Sequence, residues 1–410
     1  MDPQLLQKYA RMVVRTGVNL RKDQVLVLSS PIECADFARL VQLEAYEAGA
    51  RDVVMIWNDE LSAKIRYMHA DEAVFGQYHS WMQDLYLSTS REGAAYISIY
   101  AEDPELLKEV PPARLAAAQK SRALALKEYY DRTMNNRNTW CVVSIPTRSW
   151  AVKVFEGMGE DEAMARLWEA ILRAVRADQP DPVAAWETHQ ERLQQRLDFL
   201  NGHRFKALRY RNGLGTDLSI VLPENHLWLG GADFTPEGHR FIANMPTEEV
   251  FTLPARQGVN GTVHASMPLH YNGSLIEGFS LTFEQGRIVA FSAQKGEALL
   301  KTLIETDAGA SYLGEVALVP YDSPIRNTGI LFYNTLFDEN AACHLAIGRA
   351  YPVCLQGGDS MTPEQLAAAG VNDSLTHVDF MIGTADLAIT GIREDGTEVP
   401  VFAEGNFSFE

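Results

Sequence analysis

A histidine and an aspartate one residue apart occupy a short apolar segment, residues 376–383. β-Branched and aromatic residues alternate there with polar ones, a pattern typical of a β-strand. Residues two apart on a strand share a face, so His377 and Asp379 point one way while Val378 and Phe380 point the other. An imidazole beside a carboxylate forms half of a site for a divalent metal ion, although Asp379 merely orienting His377 explains the pair too.

Further acids and a second histidine accompany apolar runs elsewhere in the C-terminal half. Glu248 and Glu249 stand together at the head of one run, and only one of them can enter a common site because successive strand residues face opposite sides. The other candidates are Glu315, Asp338, Glu339, His344 and Tyr351. Each alone has an ordinary explanation, as a solvated acid or a hydrogen-bonded core histidine. A buried carboxylate needs a counter-charge. Several apolar strands that each carry an acid therefore favour a pair of divalent ions as that counter-charge.

The composition is that of a soluble globular protein and argues against a nucleic-acid partner. Hydrophobic residues make up 46% of the 410 and charged residues 22%, with a net charge of −18. Contact with phosphates needs clustered Lys and Arg, which this acidity does not provide. The charge suits a protein that gathers carboxylates around cations or receives a positively charged substrate, and solubility alone would also explain it.

Cysteine usage and the lack of targeting segments indicate a cytoplasmic protein. Cys34, Cys141, Cys343 and Cys354 form no C-x-x-C pair and are too few for a disulfide framework. The first residues lack the apolar segment of a signal peptide. No run of about 18 apolar residues is present to span a membrane, so we expect no membrane partner.

The N-terminal half alternates apolar runs with helical segments. The runs lie near residues 24–29, 52–57, 94–100 and 140–146. Continuous apolar strands separated by helices predict a doubly wound α/β domain with a mostly parallel sheet. No G-x-G-x-x-G follows the first run and no P-loop sequence occurs, so the residues give little support to dinucleotide binding.

A charged, proline-rich break at 178–182 predicts a boundary between domains 1–182 and 183–410. A helix is expected near 184–200. Short strands with glycine-containing turns are expected near 204–211, 216–222, 225–229, 261–265, 278–284 and 287–293. This half is therefore predicted to be an α+β domain whose mostly antiparallel strands carry the metal site.

Six short motifs together resemble the thermophilic-type aminopeptidases, the family of dinuclear metallopeptidases that includes aminopeptidase T, aminopeptidase S and PepS. They are GTDL at 215–218, WLGG at 228–231, PTEEV at 246–250, GE at 314–315, DENAACH at 338–344 and HVDFMIG at 377–383. Their order and spacing fit the family, and the N-terminal half also resembles its α/β domain. The resemblance therefore spans nearly the whole chain.

The resemblance implies two divalent metal ions per chain, Zn, Co or Mn, and a set of residues that bind them. The implied ligands are Glu249, Glu315, Glu339, His344, His377 and Asp379. Glu249 rather than Glu248 is implied, with Glu315 bridging both ions. The implied catalytic residues are Glu315, Glu339 and Tyr351. Family members form dimers that enclose their active sites, so a homodimer is expected.

The implied activity is metal-dependent removal of the N-terminal residue from peptides with a free N-terminus, through a hydroxide shared by both ions. Glu315 or Glu339 would move the proton to the leaving amine, and Tyr351 would donate a hydrogen bond to the oxyanion. One alternative is a metabolite-binding α/β protein with a structural metal site. Another is a thiol hydrolase in which Cys343 acts beside His344.

Overall fold

The computed structural model describes residues 2–410, which divide into two compact units. The first unit comprises the chain up to His189 together with Ala232–Pro246, and the second comprises Gln190–Gly231 with Thr247–Glu410. The domain limits expected from the sequence, 1–182 and 183–410, stay a prediction.

The helices lie mostly in the first unit. They are α1 Pro3–Met12, α2 Ala35–Glu47, α3 Glu60–His69, α4 Ser80–Arg91, α5 Pro112–Ala125, α6 Lys127–Met134, α7 Arg148–Val154, α8 Glu160–Ala174, α9 Pro182–His203, α10 Glu297–Ile304, α11 Thr335–Asp338 and α12 Pro363–Ala368. Among residues 2–410, none of these helices is both long and apolar enough to cross a membrane.

The strands lie mostly in the second unit. They are β1 Val25–Pro31, β2 Asp52–Asn58, β3 Ala95–Ile99, β4 Trp140–Val143, β5 Ala207–Arg211, β6 Asp217–Val221, β7 Leu229–Gly230, β8 Asp233–Phe234, β9 Arg240–Phe241, β10 Val250–Thr252, β11 Val259–His264, β12 Leu269–Tyr271, β13 Ser274–Ile276, β14 Ser280–Glu284, β15 Arg287–Ser292, β16 Leu313–Leu318, β17 His344–Gly348, β18 His377–Met381, β19 Ala388–Ile392, β20 Glu398–Ala403 and β21 Asn406–Phe407.

The first unit is built on a parallel sheet of order β2-β1-β3-β4. Along β1, Leu26 and Leu28 pack into one core with residues of α1 and α2. Val27, on the opposite face, packs into a second core with residues of α4 and α6. Because alternate residues are buried against helices on both faces, the strands are apolar throughout, and the predicted doubly wound domain is confirmed.

The second unit is built on antiparallel sheets, as predicted. The larger sheet has the order β15-β14-β11-β6-β5-β19-β20-β21, and the smaller one has the order β18-β17-β16-β10-β7. The turn between β14 and β15 has Gln285 at φ 48° and Gly286 at φ 82°, positive values of the kind that tight hairpin turns need.

One predicted strand is much shorter than expected. Of residues 225–229, only the last belongs to a strand, β7. The backbone amide of Leu227 donates to the carbonyl of Cys354, and the amide of Trp228 donates to the side-chain oxygen of Asn201. Because loop and side-chain groups satisfy this backbone, it does not need a neighbouring strand.

Candidate metal centre

Four adjacent strands of the smaller sheet carry the predicted ligands. Glu249 immediately precedes β10, and Glu315 lies within β16. His344 is the first residue of β17, while His377 and Asp379 both lie on β18. Since β10, β16, β17 and β18 are neighbours in the sheet, residues that are far apart in the sequence come together.

The strand register aligns Glu315, Ala346 and Asp379 in one row across the sheet. Directly opposite residues of an antiparallel pair point to the same face, so both carboxylates rise on either side of Ala346. Two strand spacings, about 9–10 Å, separate their backbones. The small side chain of Ala346 leaves open the space into which the two acids extend.

The opposite face of these strands fixes their orientation. Val316, Leu345 and Phe380 alternate with the site residues and are fully buried in the apolar core of the unit. A shift of one residue in any strand would expose this apolar set and bury the acids in its place. The core therefore holds Glu315, His344 and Asp379 on one face.

A glycine permits the close approach of β17 and β18 beside His377. Gly348, which pairs with His377, has φ 106°, a conformation that L-residues with a side chain rarely adopt. A Cβ atom at this position would lie 2.1 Å from the carbonyl oxygen of Thr376. The absence of a side chain at Gly348 therefore lets His377 enter the cluster.

The cluster consists of two triads that share one carboxylate. In the first, Nε2 of His344 lies 3.0 Å from Oε2 of Glu249 and 3.4 Å from Oε1 of Glu315. In the second, Nε2 of His377 lies 3.5 Å from Oε2 of Glu315 and 3.3 Å from Oδ1 of Asp379. Ligand atoms within each triad all lie within 4.8 Å of one another. The two oxygens of Glu315 thus face different imidazoles.

Backbone carbonyls orient both imidazoles. Nδ1 of His344 lies 3.2 Å from the carbonyl oxygen of Ala342, and Nδ1 of His377 lies 2.6 Å from that of Arg349. A carbonyl oxygen only accepts a hydrogen bond, so each Nδ1 carries a proton and each Nε2 points toward the carboxylates. Loss of the Nε2 proton leaves the tautomer that a metal-binding histidine uses.

The chemistry of the buried oxygens fits a cation. Within the described residues, Oε2 of Glu249 and Oδ1 of Asp379 are buried, and apart from an imidazole nitrogen neither oxygen has a hydrogen-bond partner. Each lies 3.0–3.3 Å from an imidazole Nε2, which donates a hydrogen bond while it is protonated and gives up that proton when a metal ion binds. A divalent ion accepts lone pairs from imidazole nitrogen and carboxylate oxygen together. Each triad therefore has the donor set of a metal site.

Protonation equilibria reflect the crowding of acids. Burial, followed by repulsion from Asp379 and Glu249, raises the pKa of the Glu339 carboxyl well above its ordinary range. Burial opposes the charged form of His377, but attraction to Asp379 and Glu315 outweighs it and raises the His377 pKa to about 9. These groups compensate an excess of negative charge by holding protons, a role that divalent cations take over when bound.

Glu339 and Tyr351 lie beside the triads rather than in them. Glu339 begins a 3₁₀ turn, Glu339–Ala341, that contacts β18. Tyr351 follows β17, and its ring meets the ring of His377 edge-on at 4.9 Å between centroids. Burial and the nearby Glu315 and Asp379 raise the pKa of the Tyr351 hydroxyl well above its usual value, so the hydroxyl stays protonated.

Two sequence candidates have other roles in the structure. The carboxylate of Asp338 accepts backbone N–H groups of Phe332 and Asn334 and so shapes the loop before α11. The thiol of Cys343 donates to the carbonyl of Val319 within the apolar core, and burial raises its pKa to about 12. A protonated thiol bonded in the core is a poor nucleophile, which argues against the thiol-hydrolase alternative.

Sequence reasoning missed the residues that make room for the cluster and support it. Ala317 and Ala346 lie on the site face of β16 and β17, opposite the predicted ligands His344 and Glu315. Asn340 and Arg196 are buried beside the segment that carries Glu249. Small residues alternating with larger ones in His344–Gly348 are a signal that could have identified Ala346, whereas no local pattern marks Arg196, which lies on α9.

Fold and site together define a metalloenzyme of the mixed α/β class, with its candidate metal centre on an antiparallel sheet. A family model described as thermophilic metalloprotease (M29) matches residues 2–407. The chain belongs to the thermophilic metalloprotease (M29) family.

Named relatives agree with this assignment. The chain is 48% identical to Aminopeptidase 2 of Geobacillus stearothermophilus over 405 residues, covering 99% of this chain and 98% of the relative. It is 47% identical to Aminopeptidase AmpS of Bacillus subtilis over 406 residues, covering 99% of both. These matches confirm the predicted metal-dependent aminopeptidase and do not favour the metabolite-binding alternative.

A solved structure supports the fold over its whole length. The structure of wild-type AmpT from Thermus thermophilus superposes with a TM-score of 0.92 at 42% identity, covering 99% of each chain. The predicted mixed α/β architecture, with its parallel and antiparallel sheets, is thereby confirmed.

Proposed function

We propose that this aminopeptidase holds two divalent ions, Zn, Co or Mn, one in each triad, with Glu315 bridging them. The observation that carries the proposal is the orientation of Glu315, whose two oxygens lie 3.4 and 3.5 Å from the Nε2 atoms of two different histidines. Glu249 with His344 supplies the remaining ligands of one ion, and His377 with Asp379 those of the other.

Such ions, when bound, lower the pKa of water and polarise the scissile carbonyl. Tyr351 stands beside His377 as a protonated donor for the oxyanion that develops on that carbonyl. One such donor is worth about 2.7–4 kcal/mol at comparable sites. Glu339 belongs to neither triad, so its carboxyl is available to accept a proton and return it to the leaving amine. The prediction that Glu339 also ligates an ion stays a prediction.

The substrate that suits this site is a peptide with a free, positively charged N-terminus. Acids outnumber bases around the cluster, and the whole chain carries a net charge of −18. An α-ammonium group is attracted by such a field, whereas a neutral acylated N-terminus is not. We further propose that the protein works as a homodimer in the cytoplasm, where reducing conditions suit its four buried cysteines, which form no disulfide bond.

Metal analysis combined with peptidase assays tests the proposal. Purified protein is stripped with a chelator, reloaded with Zn²⁺, Co²⁺ or Mn²⁺, and assayed on a panel of aminoacyl anilides alongside their N-acetylated counterparts. We expect two equivalents of metal per chain, reversible loss of activity, and no cleavage of the acetylated substrates. A single tight equivalent at full activity would contradict the bridging role of Glu315, and unchanged activity without metal would contradict the mechanism.

A further inference from the structure

The peptide segment that precedes Glu249 is held on both sides by buried side chains. The backbone N–H of Glu248 donates to Oδ1 of Asn340 at 2.7 Å. The carbonyl of Glu248 accepts from Nη1 of Arg196 at 3.3 Å. These two contacts fix the peptide planes on either side of the Glu248 Cα atom, and the second plane leads directly into Glu249.

Asn340 is itself fixed within the unit. It is fully buried, and its side-chain nitrogen donates to the carbonyl of Leu336 at 3.0 Å. The hydroxyl of Ser323, also fully buried, donates to the backbone carbonyl of Asn340 at 2.7 Å. Since both the amide nitrogen and the backbone carbonyl of Asn340 have partners, its amide oxygen is held in one direction, toward the N–H of Glu248.

Arg196 is held by an equally specific set of contacts. Its side chain is 7% exposed, and its guanidinium forms a fork with the carboxylate of Glu410 at 2.6 and 3.0 Å. It also lies over the ring of Phe407, 4.6 Å from the centroid. A planar guanidinium paired with a carboxylate at two nitrogens leaves the third in a fixed direction, here toward the carbonyl of Glu248.

We infer that Asn340 and Arg196 are positioning residues that aim the Glu249 carboxylate into the first triad. The inference rests on the proposed function, because it takes Glu249 to be a metal ligand. Two independently anchored groups that restrain one short backbone segment reduce the freedom of the carboxylate it carries. Outer partners of this kind change metal affinity by about 10–100-fold when removed, without touching the metal themselves.

The inference predicts a loss confined to one of the two ions. Asn340→Ala and Arg196→Met should weaken the ion held by Glu249 and His344 by about 10–100-fold. The ion held by His377 and Asp379 should keep its affinity, because none of its ligands depends on the Glu248 segment. General destabilisation of the fold would not separate the two ions in this way.

The test is a titration of the metal-free variants with Co²⁺ alone. Calorimetry and the visible absorption of bound Co²⁺ monitor the binding. The matched control is Asn138→Ala in the first unit, where a buried amide donates two hydrogen bonds to backbone carbonyls. The Asn340 amide donates one to the carbonyl of Leu336 and a longer one, of 3.5 Å, to Oε1 of Glu339. We expect wild type and Asn138→Ala to show two tight sites, and Asn340→Ala and Arg196→Met to show one tight and one weak site. Two unchanged sites in either variant would overturn the inference for that residue.

Milder variants decide the matter if the first ones do not fold. Ser323→Ala loosens Asn340, and Glu410→Gln removes the charge that holds Arg196, while neither truncates the positioning residue itself. Each should lower the Co²⁺ affinity of the site formed by Glu249 and His344, by less than Asn340→Ala and Arg196→Met do. Wild-type Co²⁺ affinity at both sites in both variants would overturn the inference. Failure of the wild-type protein to bind two Co²⁺ ions would contradict the proposed function itself.

Discussion

Ala346 lies directly opposite Glu315 in the pairing of β16 with β17, and its methyl group is all that fills the row between Glu315 and Asp379. Side chains of directly opposite residues lie about 4.5–5.5 Å apart at Cβ. A larger residue at position 346 would therefore occupy the space into which the two carboxylates reach. The site depends on a small residue that has no chemistry of its own.

Ala346→Val is expected to abolish metal binding and peptidase activity while the protein stays folded. The branched side chain suits a strand, so the cost to the fold should stay within the range of about 1–3 kcal/mol seen for overpacking. Metal content, anilide hydrolysis and circular dichroism measure the three consequences. The control is Ala388→Val at an exposed position of β19, and a fully metal-loaded Ala346→Val protein would refute the role given to this row.

Glu315 and its neighbours should differ in the number of ions they control. Glu315→Gln is expected to lose both ions because each of its oxygens serves a different triad. Glu249→Gln should lose one ion only. Glu248→Gln, which alters the adjacent carboxyl, should retain both. Metal analysis of the purified variants gives the answer, and retention of both ions in Glu315→Gln would rule out a bridge.

The local sequence pattern makes much of this site predictable. The features that the local pattern does not predict depend on pairing between distant strands. The alternation in His377–Met381 is enough to place both predicted ligands, His377 and Asp379, on one face, because strand periodicity is a property of adjacent residues. Strand β17 lies between β16 and β18, and Ala346 therefore separates two acids. This arrangement depends on the register between strands that are distant in the sequence. Arg196 reaches Glu248 from α9, 52 residues away, and no single segment encodes that contact.

Tyr351 should affect the rate of the chemical step but not metal binding. Tyr351→Phe removes only the hydroxyl, so both triads stay intact and the ring still packs against His377. Loss of one oxyanion donor costs about 2.7–4 kcal/mol, which corresponds to a fall in kcat of about 10²–10³-fold. Steady-state kinetics with a metal-loaded enzyme separate kcat from KM. A kcat equal to that of the wild type would remove Tyr351 from the mechanism.

Tyr210 offers a test of stability that does not involve the predicted ligands. Its side chain is fully buried, and within the described residues its hydroxyl has no hydrogen-bond partner. A buried unsatisfied polar group costs about 1–3 kcal/mol, so Tyr210→Phe should raise the free energy of unfolding by about 1 kcal/mol or more. Denaturant unfolding measures this change, with Tyr351→Phe as a comparison at the site. A clear loss of stability in Tyr210→Phe would show that the hydroxyl has a partner, such as an ordered water.

Glu60 should make the stability of the protein depend on pH. Burial, with repulsion from Glu102 and other acids, raises the pKa of its carboxyl from the ordinary 4.5 to about 7, although the backbone N–H of Asp103 donates to it at 3.2 Å. Between these two pH values the folded protein binds more protons than the unfolded chain, so the contribution of Glu60 to stability is present below about pH 4.5 and is lost as the pH rises through 7. Glu60→Gln keeps an oxygen for the N–H of Asp103 but cannot ionise, and should gain stability over the wild type between about pH 5 and pH 8. Urea unfolding of both proteins at about pH 5 and pH 8 tests this, and Glu47→Gln at an exposed position is the control. If the difference in unfolding free energy between Glu60→Gln and the wild type does not change with pH, the charge on Glu60 does not destabilise the fold.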